Sequence, residues 1–383
     1  MSHTMDHSPL FGDLRDFISA EVAPQALLVE ARGGLTKDMI KKLASKGYLG
    51  ASLPVEYGGL GLDQVNYGLF MHEIGKACIA TKSLLTVHTS LVGETLVRWG
   101  SKEQKDNWLP QMVSGNKIGA FALTEPNVGS DAKSVQTSYS KKGNGYLLNG
   151  KKKWITYGHL ADFFIVIAAN EGKSTAFLVE RHLIGVTTRP IENLLAGRAI
   201  YIAEIDLENV EVPAENVLGK EGFGFEYVVN SALDSGRYSV AWSGVSLAEA
   251  AIEAMVTYSR TRSQFGEKLR SFQLIRGAIG DATTKLHAAK AICLKAGSMR
   301  DANDVDAATE TTIAKYFTSQ VAVDVCNVAV QLHGANGLKD EYHVERYLRE
   351  SKVLEIIEGS SQIQQEMIAT YSLRKYFKKA KNQ

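Results

Sequence analysis

Four runs of residues have the types and spacing that chemistry needs. The first is Leu354-Glu-Ile-Ile-Glu358-Gly359-Ser360-Ser361-Gln362. A carboxylate on an apolar, glycine-flanked turn can have a raised pKa and act as a base near neutral pH. Ser361 and Gln364 have the S-x-x-Q spacing of a capping box, which predicts a helix opening just after Glu358. The structural alternative is an acid favoured by a helix N-terminus. The second run is Leu123-Thr124-Glu-Pro-Asn-Val-Gly-Ser130-Asp131. Its hydroxyls and exposed N–H groups suit a phosphate or the polar edge of a ring. Alternatively it is a strand exit in which Ser130 or Asp131 caps a helix. The third is Trp154-Ile155-Thr156, where an indole could stack on a planar ring beside a hydroxyl, or simply fill a core. The fourth joins Arg262-Ser-Gln-Phe265-Gly266 to Phe272 and Gln273, where Arg262 suits a bidentate pyrophosphate contact or a helix C-terminus. Gln331-Leu-His-Gly334-Ala-Asn-Gly337 is a further polar, glycine-rich break.

These residues need elements to hold them. Asp38 to Leu43 reads as a helix face ended near Gly47, and Leu84 to Val97 as another apolar helical stretch. Ser101–Asn107 reads as a polar loop. Near residue 118 the period changes: Ile118–Leu123, Phe163–Ile167, Thr175–Val179 and Ile200–Val212 predict strands, and Asn149-Gly150 predicts a hairpin turn. From Phe223 the helical period returns. Ile313, Phe317, Val321, Val325, Val328 and Leu332 form a stripe that stops before Gly334. Helices, then strands, then helices indicate an α+β chain, with regions 1–117, 118–222 and 223–383.

Composition excludes several classes. The 383 residues carry 43 Lys plus Arg and 42 Asp plus Glu, a net charge of +1, so nothing electrostatic points to nucleic acid. Three cysteines without a C-x-x-C pair argue against a disulfide framework, and no metal site is expected. The N-terminus lacks the apolar core of a signal peptide, and the longest apolar run, near Ala161–Ala169, is far short of the ~20 residues of a bilayer span. These readings give a cytoplasmic chain without membrane insertion. The absence of G-x-G-x-x-G and of a Walker loop disfavours a nicotinamide Rossmann enzyme.

Taken in order, the motifs resemble the acyl-CoA dehydrogenase family over nearly the whole chain. The matching stretches are Pro54–Leu62, His88–Leu91, Gly100–Pro110, Leu123–Asp131, Gly150–Thr156, Val210–Asn216, Arg262–Gln273, Gln331–Gly337 and Glu358–Gln364. The resemblance implies an N-terminal helical domain, a middle β-barrel-like domain and a C-terminal four-helix bundle, with FAD as cofactor and a homotetramer or dimer. It implies α,β-dehydrogenation of an acyl thioester, with Glu358 removing the α-proton while a hydride leaves the β-carbon for flavin N5. By the same match Leu123, Thr124, Ser130, Trp154, Ile155 and Thr156 would contact the flavin. Arg262, Phe265, Phe272, Gln273, Gln331 and Gly334 would reach the FAD of a neighbouring subunit. Ser360 and Gln362 would touch the adenosine or pyrophosphate side. Ser130, Arg237 and Gly359 would serve the substrate. Some relatives carry the base on an earlier helix, at the place held here by Gly236, which favours Glu358. Arg237 is alternatively the surface partner of Asp234.

Three departures stand out. The usual W-I-T-N or W-I-T-S continues as Tyr157-Gly158. The R-G/A-S-x-T pattern reads Arg198-Ala199-Ile200-Tyr201. Ile357 replaces a frequent tyrosine before the base. Together they incline the resemblance toward the branch acting on substrates tethered to an acyl or peptidyl carrier protein, with CoA esters of fatty-acid or amino-acid breakdown as the alternative. The electron acceptor would be an electron-transfer flavoprotein, or oxygen in an oxidase. A non-catalytic scaffold should have lost the base or the FAD contacts, and these are present.

Overall fold

The computed structural model describes residues 9–381. The segment read above for a signal peptide, Met1–Ser8, lies outside them. The chain packs as two compact units. One contains residues through Pro24, Gln64–Lys82 and the chain from Arg237 onward; the other contains Gln25–Asp63 and Ser83–Gly236. No helix among the described residues is long and apolar enough to cross a membrane.

The second unit is built on a sheet. Among the described residues eight strands join: β1 Gly119–Ala122, β2 Ser138–Lys142, β3 Gly145–Ile155, β4 Phe163–Asn170, β5 Lys173–Glu180, β6 Val186–Pro190, β7 Ala203–Pro213 and β8 Val217–Leu218. Their order is β6-β7-β3-β2-β4-β5-β8, with β1 added to β4. β1 and β2 meet β4 in parallel, and the other neighbours are antiparallel. Phe163–Ala168 and Ala176–Val179 are buried on both faces, so β4 and β5 read as continuous apolar runs rather than alternating ones.

Asn149-Gly150 does not turn the chain, contrary to expectation. β3 runs straight through it, and the reversal is at Gly143-Asn144, where Lys142 faces Gly145 across the turn. The type I′ turn that Asn-Gly favours needs positive φ at both central residues, and of Asn149 and Gly150 only Gly150 is positive, at 156°. The pair instead sits at a register shift against β7, where Asn209, at φ 51°, donates its N–H to Asn149 Oδ1 at 2.8 Å.

The flanking helices of this unit follow their caps. Thr36 Oγ1 accepts from Met39 N and opens the helix Lys37–Ser45, and Gly47 ends it with φ 74°. Ser101–Asn107 is not a loop. Ser101 and Gln104 form a reciprocal capping box that starts the helix Lys102–Val113. Lys102, Glu103 and Asp106 are the solvent-facing turn of a helix whose Trp108, Leu109 and Met112 are buried.

The first unit is helical. Among the described residues its long helices are Asn230–Thr261, which begins in the other unit, Gln273–Asp301, Ala307–His333 and Ser361–Lys381, with Gln64–Ala77 and Val344–Leu354 beside them. The basic run from Arg374 continues the last helix. On Ala307–His333 the buried face differs from the predicted stripe. Val321 and Val325 are buried, but Ile313, Phe317, Val328 and Leu332 are only half-buried. The covered face is instead Thr311, Ala314, Lys315, Thr318, Ala322, Cys326, Ala329 and His333. Small side chains permit close helix packing, so that face lies deepest.

Candidate active site

The helix Val344–Leu354 ends in an irregular turn that carries Glu358 and Gly359. Glu358 has φ 55° and Gly359 φ 91°. The left-handed region is costly for a glutamate. Gly359 has a φ that side-chain-bearing residues rarely adopt, and a Cβ there would lie 2.6 Å from Gln364 Nε2, which would have to move. The next helix is capped one residue earlier than expected. Ser360, not Ser361, offers its Oγ to Ile363 N, at 3.4 Å. Gln364 therefore does not complete a box with Ser361; its Nε2 donates to the Glu358 carbonyl at 3.0 Å and the Gly359 carbonyl at 3.1 Å. Arg237 Nε donates to the same Glu358 carbonyl at 3.1 Å, and Lys315 Nζ to the Gly359 carbonyl at 2.7 Å.

These donors fix the backbone and leave the carboxyl for other work. Glu358 Oε2 is buried and has no hydrogen-bond partner among the described residues. Burial pushes the Glu358 carboxyl up to about 7, against the pull of Arg237 and Lys315. A buried carboxyl that titrates near neutrality can exchange a proton with a bound molecule.

In the sheet unit, the Leu123–Ser130 run and the end of β3 come together. Between Lys152 and Ile155 the β3 register slips by one residue against β7, and Trp154 at that bulge has φ 63°. A bulge re-aims a side chain: Lys152 and Ile155 point into the core while Trp154 stays 50% exposed. Lys153 N donates to the Thr124 carbonyl at 2.9 Å, so Thr124 lies beside this bulge. Thr124 and Thr156 are half-buried and Ser130 is exposed. Leu123 and Ile155 are buried, so their side chains belong to the core. An accessible indole standing next to hydroxyl-bearing residues fits a planar, hydrogen-bonding ring system such as a flavin.

The turn after Leu123 depends on a buried ion pair that sequence reasoning passed over. Lys152 Nζ donates to Glu125 Oε1 at 2.7 Å and to the Leu123 carbonyl at 3.0 Å. Glu125 also accepts from Gln136 N at 2.6 Å and Thr137 N at 2.9 Å. Burial alone would raise the Glu125 carboxyl, but Lys152 and these donors hold it below its ordinary value. The available signal was alternation: Lys152 occupies an inward position of β3 between two outward lysines. Lys315 was missed as well, and a lone cation on the small-residue face of Ala307–His333 was the clue, whereas Gln364 was read as a capping residue rather than as a donor to the turn.

Of the remaining candidates, Ser360 and Gln362 follow the Glu358 turn directly in the chain, and the others are not drawn to it by any described hydrogen bond or ring contact. Arg262, Phe265 and Gln273 are exposed, and Phe272 is half-buried with its ring 6.2 Å from Phe265. They share a short β9–β10 hairpin, Ser263–Gln264 with Glu267–Lys268, and the start of the next helix. Gln331 and Gly334 are exposed at the end of Ala307–His333, Ser360 is half-buried and Gln362 exposed.

Comparison with known proteins supplies the context. Models described as the N-terminal, middle and C-terminal domains of acyl-CoA dehydrogenase match residues 4–116, 120–210 and 222–373. The acyl-CoA dehydrogenase of Bacillus subtilis (strain 168) is 38% identical over 94% of this chain and 96% of its own length. The caffeyl-CoA reductase-Etf complex subunit CarC of Acetobacterium woodii is 36% identical, over 94% and 96%. Butyryl-CoA dehydrogenase from Megasphaera elsdenii superposes with a TM-score of 0.91 at 34% identity, covering 96% of this chain and 99% of that one. The FADH2 complex of glutaryl-CoA dehydrogenase from Mycobacterium smegmatis gives 0.90 at 28%, over 94% and 93%. The prolyl acyl carrier protein oxidase AnaB gives 0.89 at 28%, over 94% and 97%.

Proposed function

This chain belongs to the acyl-CoA dehydrogenase family, and on that premise we propose that it oxidises an acyl-CoA thioester between the α- and β-carbons, with Glu358 as the base. It has the family's three-domain fold and is an FAD-dependent oxidoreductase. The proposal rests on one observation: a buried carboxyl oxygen without a hydrogen-bond partner among the described residues, on a turn whose backbone is fixed from outside. Removing a weakly acidic α-proton requires such a group, ionised yet avid for a proton. Bound FAD supplies the acceptor for the hydride leaving the β-carbon. Thr124, Ser130, Trp154 and Thr156 are the side chains proposed to hold its ring, and the backbones of Leu123 and Ile155 its edge. Arg262, Phe265, Phe272, Gln273, Gln331 and Gly334 are proposed to serve FAD across a homotetramer, Ser360 and Gln362 its adenosine side, and Ser130, Arg237 and Gly359 the thioester.

Two of the three departures that inclined the sequence toward a carrier-protein substrate, those at Tyr157 and at Arg198–Tyr201, have a packing explanation. Tyr157 is fully buried, its ring lies 5.9 Å from that of Tyr201, and its N–H donates to the Ile200 carbonyl. Tyr201 in turn donates to the Leu35 carbonyl at 3.0 Å. Arg198 Nε donates to the Leu194 carbonyl at 2.8 Å, and its guanidinium lies 3.8 Å from Glu30. Tyr157 is thus a core residue beside the half-buried Tyr201, which lessens their weight as substrate signals. Relatives named for CoA substrates at 34–38% identity support a CoA ester. The relative in an Etf complex supports an electron-transfer flavoprotein as acceptor. Three buried cysteines, none in a disulfide, suit the proposed cytoplasmic location. Boundaries near 117 and 222 are proposed on the family-model limits.

Anaerobic mixing tests this reading. Short acyl-CoA esters should bleach the visible flavin band, and Glu358→Gln should retain FAD but lose bleaching by at least ~100-fold, the lower end of general-base contributions. Full activity of Glu358→Gln would remove the base assignment. Bleaching by carrier-protein thioesters alone would move the substrate to the other branch.

A further inference from the structure

We propose that Lys315 is a positioning residue for the base: its ammonium fixes the Glu358–Gly359 turn through the Gly359 carbonyl and stabilises the ionised Glu358 carboxylate. The inference rests on Glu358 being the base.

Lys315 sits on the most deeply covered face of Ala307–His333, and its side chain is fully buried. Burying an ammonium is expensive unless its charge and donors are used. Among the described residues it makes no direct ion pair with a carboxylate. Its Nζ is spent on a backbone carbonyl, that of Gly359, at 2.7 Å. The helix is tied to the approach of the turn as well: Ser319 Oγ lies 2.7 Å from the Lys315 carbonyl and 3.1 Å from that of Leu354. The turn itself is left-handed at Glu358 and would relax without restraint. Arg237 and Gln364 hold the Glu358 carbonyl, Gln364 and Lys315 the Gly359 carbonyl. Arg237 and Lys315 each reach the turn from a separate helix and bring a charge, and of the two it is Lys315 that holds the Gly359 carbonyl.

The charged groups acting on this lysine are Glu358 and Glu355, which favour its ammonium, and Arg237, which opposes it. Burial lowers Lys315 to about 8, while the two carboxylates favour its charged form. A cation beside a base lowers the pH at which the base becomes available.

The test is the pH dependence of kcat under saturating substrate for the FAD-loaded wild type, Lys315→Met, Lys315→Gln and Glu358→Gln. Both Lys315 variants should move the acid limb upward by about one unit, the lower end of what a neighbouring opposite charge does to a carboxylate. At pH 7 that is a loss of about fivefold. Lys315→Gln keeps a donor for the Gly359 carbonyl, so its kcat at high pH should exceed that of Lys315→Met, with KM little altered in both. An unshifted acid limb in both variants overturns the proposal, as does a uniform loss at every pH. Failure of both to fold with FAD also overturns it, by making the lysine part of the scaffold. Persisting activity of Glu358→Gln would instead remove the reading of the base, so the two failures are distinguishable.

Discussion

As the proposed base, Glu358 must be ionised at working pH and still hold a proton strongly once it takes one. Burial supplies the proton affinity and the cations Arg237 and Lys315 keep the ionised form within reach. The sequence singled out this carboxylate and placed a helix start just after it. It did not show the left-handed φ, nor that Gln364 would turn back to the two carbonyls, because both follow from capping by Ser360 rather than Ser361. Capping choices one residue apart look alike in a row of serines. His88 poses the inverse problem. Gly119 N donates to its Nδ1 at 3.2 Å, so Nε2 carries the proton and donates to the Met112 carbonyl at 3.1 Å. Burial lowers this imidazole to about 4, although the Met112 bond favours its charged form. A base with a depressed folded pKa binds fewer protons folded than unfolded. Its contribution is therefore complete above ~6.5 and shrinks as pH falls toward about 4. At pH 5 the loss is about 2 kcal/mol. His88→Gln should start from a lower thermal midpoint at pH 7 yet lose less between pH 7 and 5 than the wild type. Equal losses in both proteins would show that His88 is not the acid-sensitive group.

At the scale of elements, the bulge at Trp154 does what the sequence motif could only suggest. An uninterrupted β3 would give Trp154 the same face as Lys152, in the core. One extra residue, taken up by a left-handed Trp154, leaves the indole outside and keeps Ile155 in register with Ala203. The Asn149-Gly150 signal misled for a related reason. Register shifts and hairpin turns both select asparagine and glycine, and only pairing with β7 distinguishes them. Behind the bulge, Lys152 and Glu125 are both almost fully buried and tie β3 to the Leu123–Ser130 turn. Glu125→Gln would leave the ammonium without its counter-charge. The expected cost is about 3 kcal/mol, as for one half of a buried pair. The change should also lower the ratio of FAD to protein, since Thr124 sits on the turn that Glu125 anchors. Thermal unfolding and the visible-to-ultraviolet absorbance ratio of the purified variant measure both effects. Unchanged stability would mean that a neutral amide satisfies Lys152 as well as the carboxylate does, and that the ion pair does not set the turn.

For the molecule as a whole, changes of hydrophobic period located helices, strands and helices correctly, but not how they pack. Residues 64–82 join the helices beyond Arg237, while 25–63 and 83–236 form the other unit. Asp301 shows the basis of that grouping: its carboxylate accepts from Gln64 N at 2.7 Å and Val65 N at 3.2 Å, partners 237 and 236 residues away in the chain. Such partners leave no local pattern. The same holds for surfaces completed by another chain. Phe265 is 94% and Leu274 89% exposed in a single chain, in the segment that also carries Arg262 and Gln273. A phenylalanine left in water gives up roughly 1.5–3 kcal/mol of burial, and two such residues in one short segment mark an interaction surface. On the proposed homotetramer this surface is an intersubunit contact that also supplies FAD ligands. Replacing Phe265 and Leu274 together by Asp should therefore reduce the mass seen by light scattering and, in the same preparation, the FAD retained after gel filtration. If mass falls while FAD stays bound, the segment is an interface without a cofactor role. If neither changes, the two side chains lie outside the contact and the cross-subunit assignment of Arg262 and Gln273 fails with them.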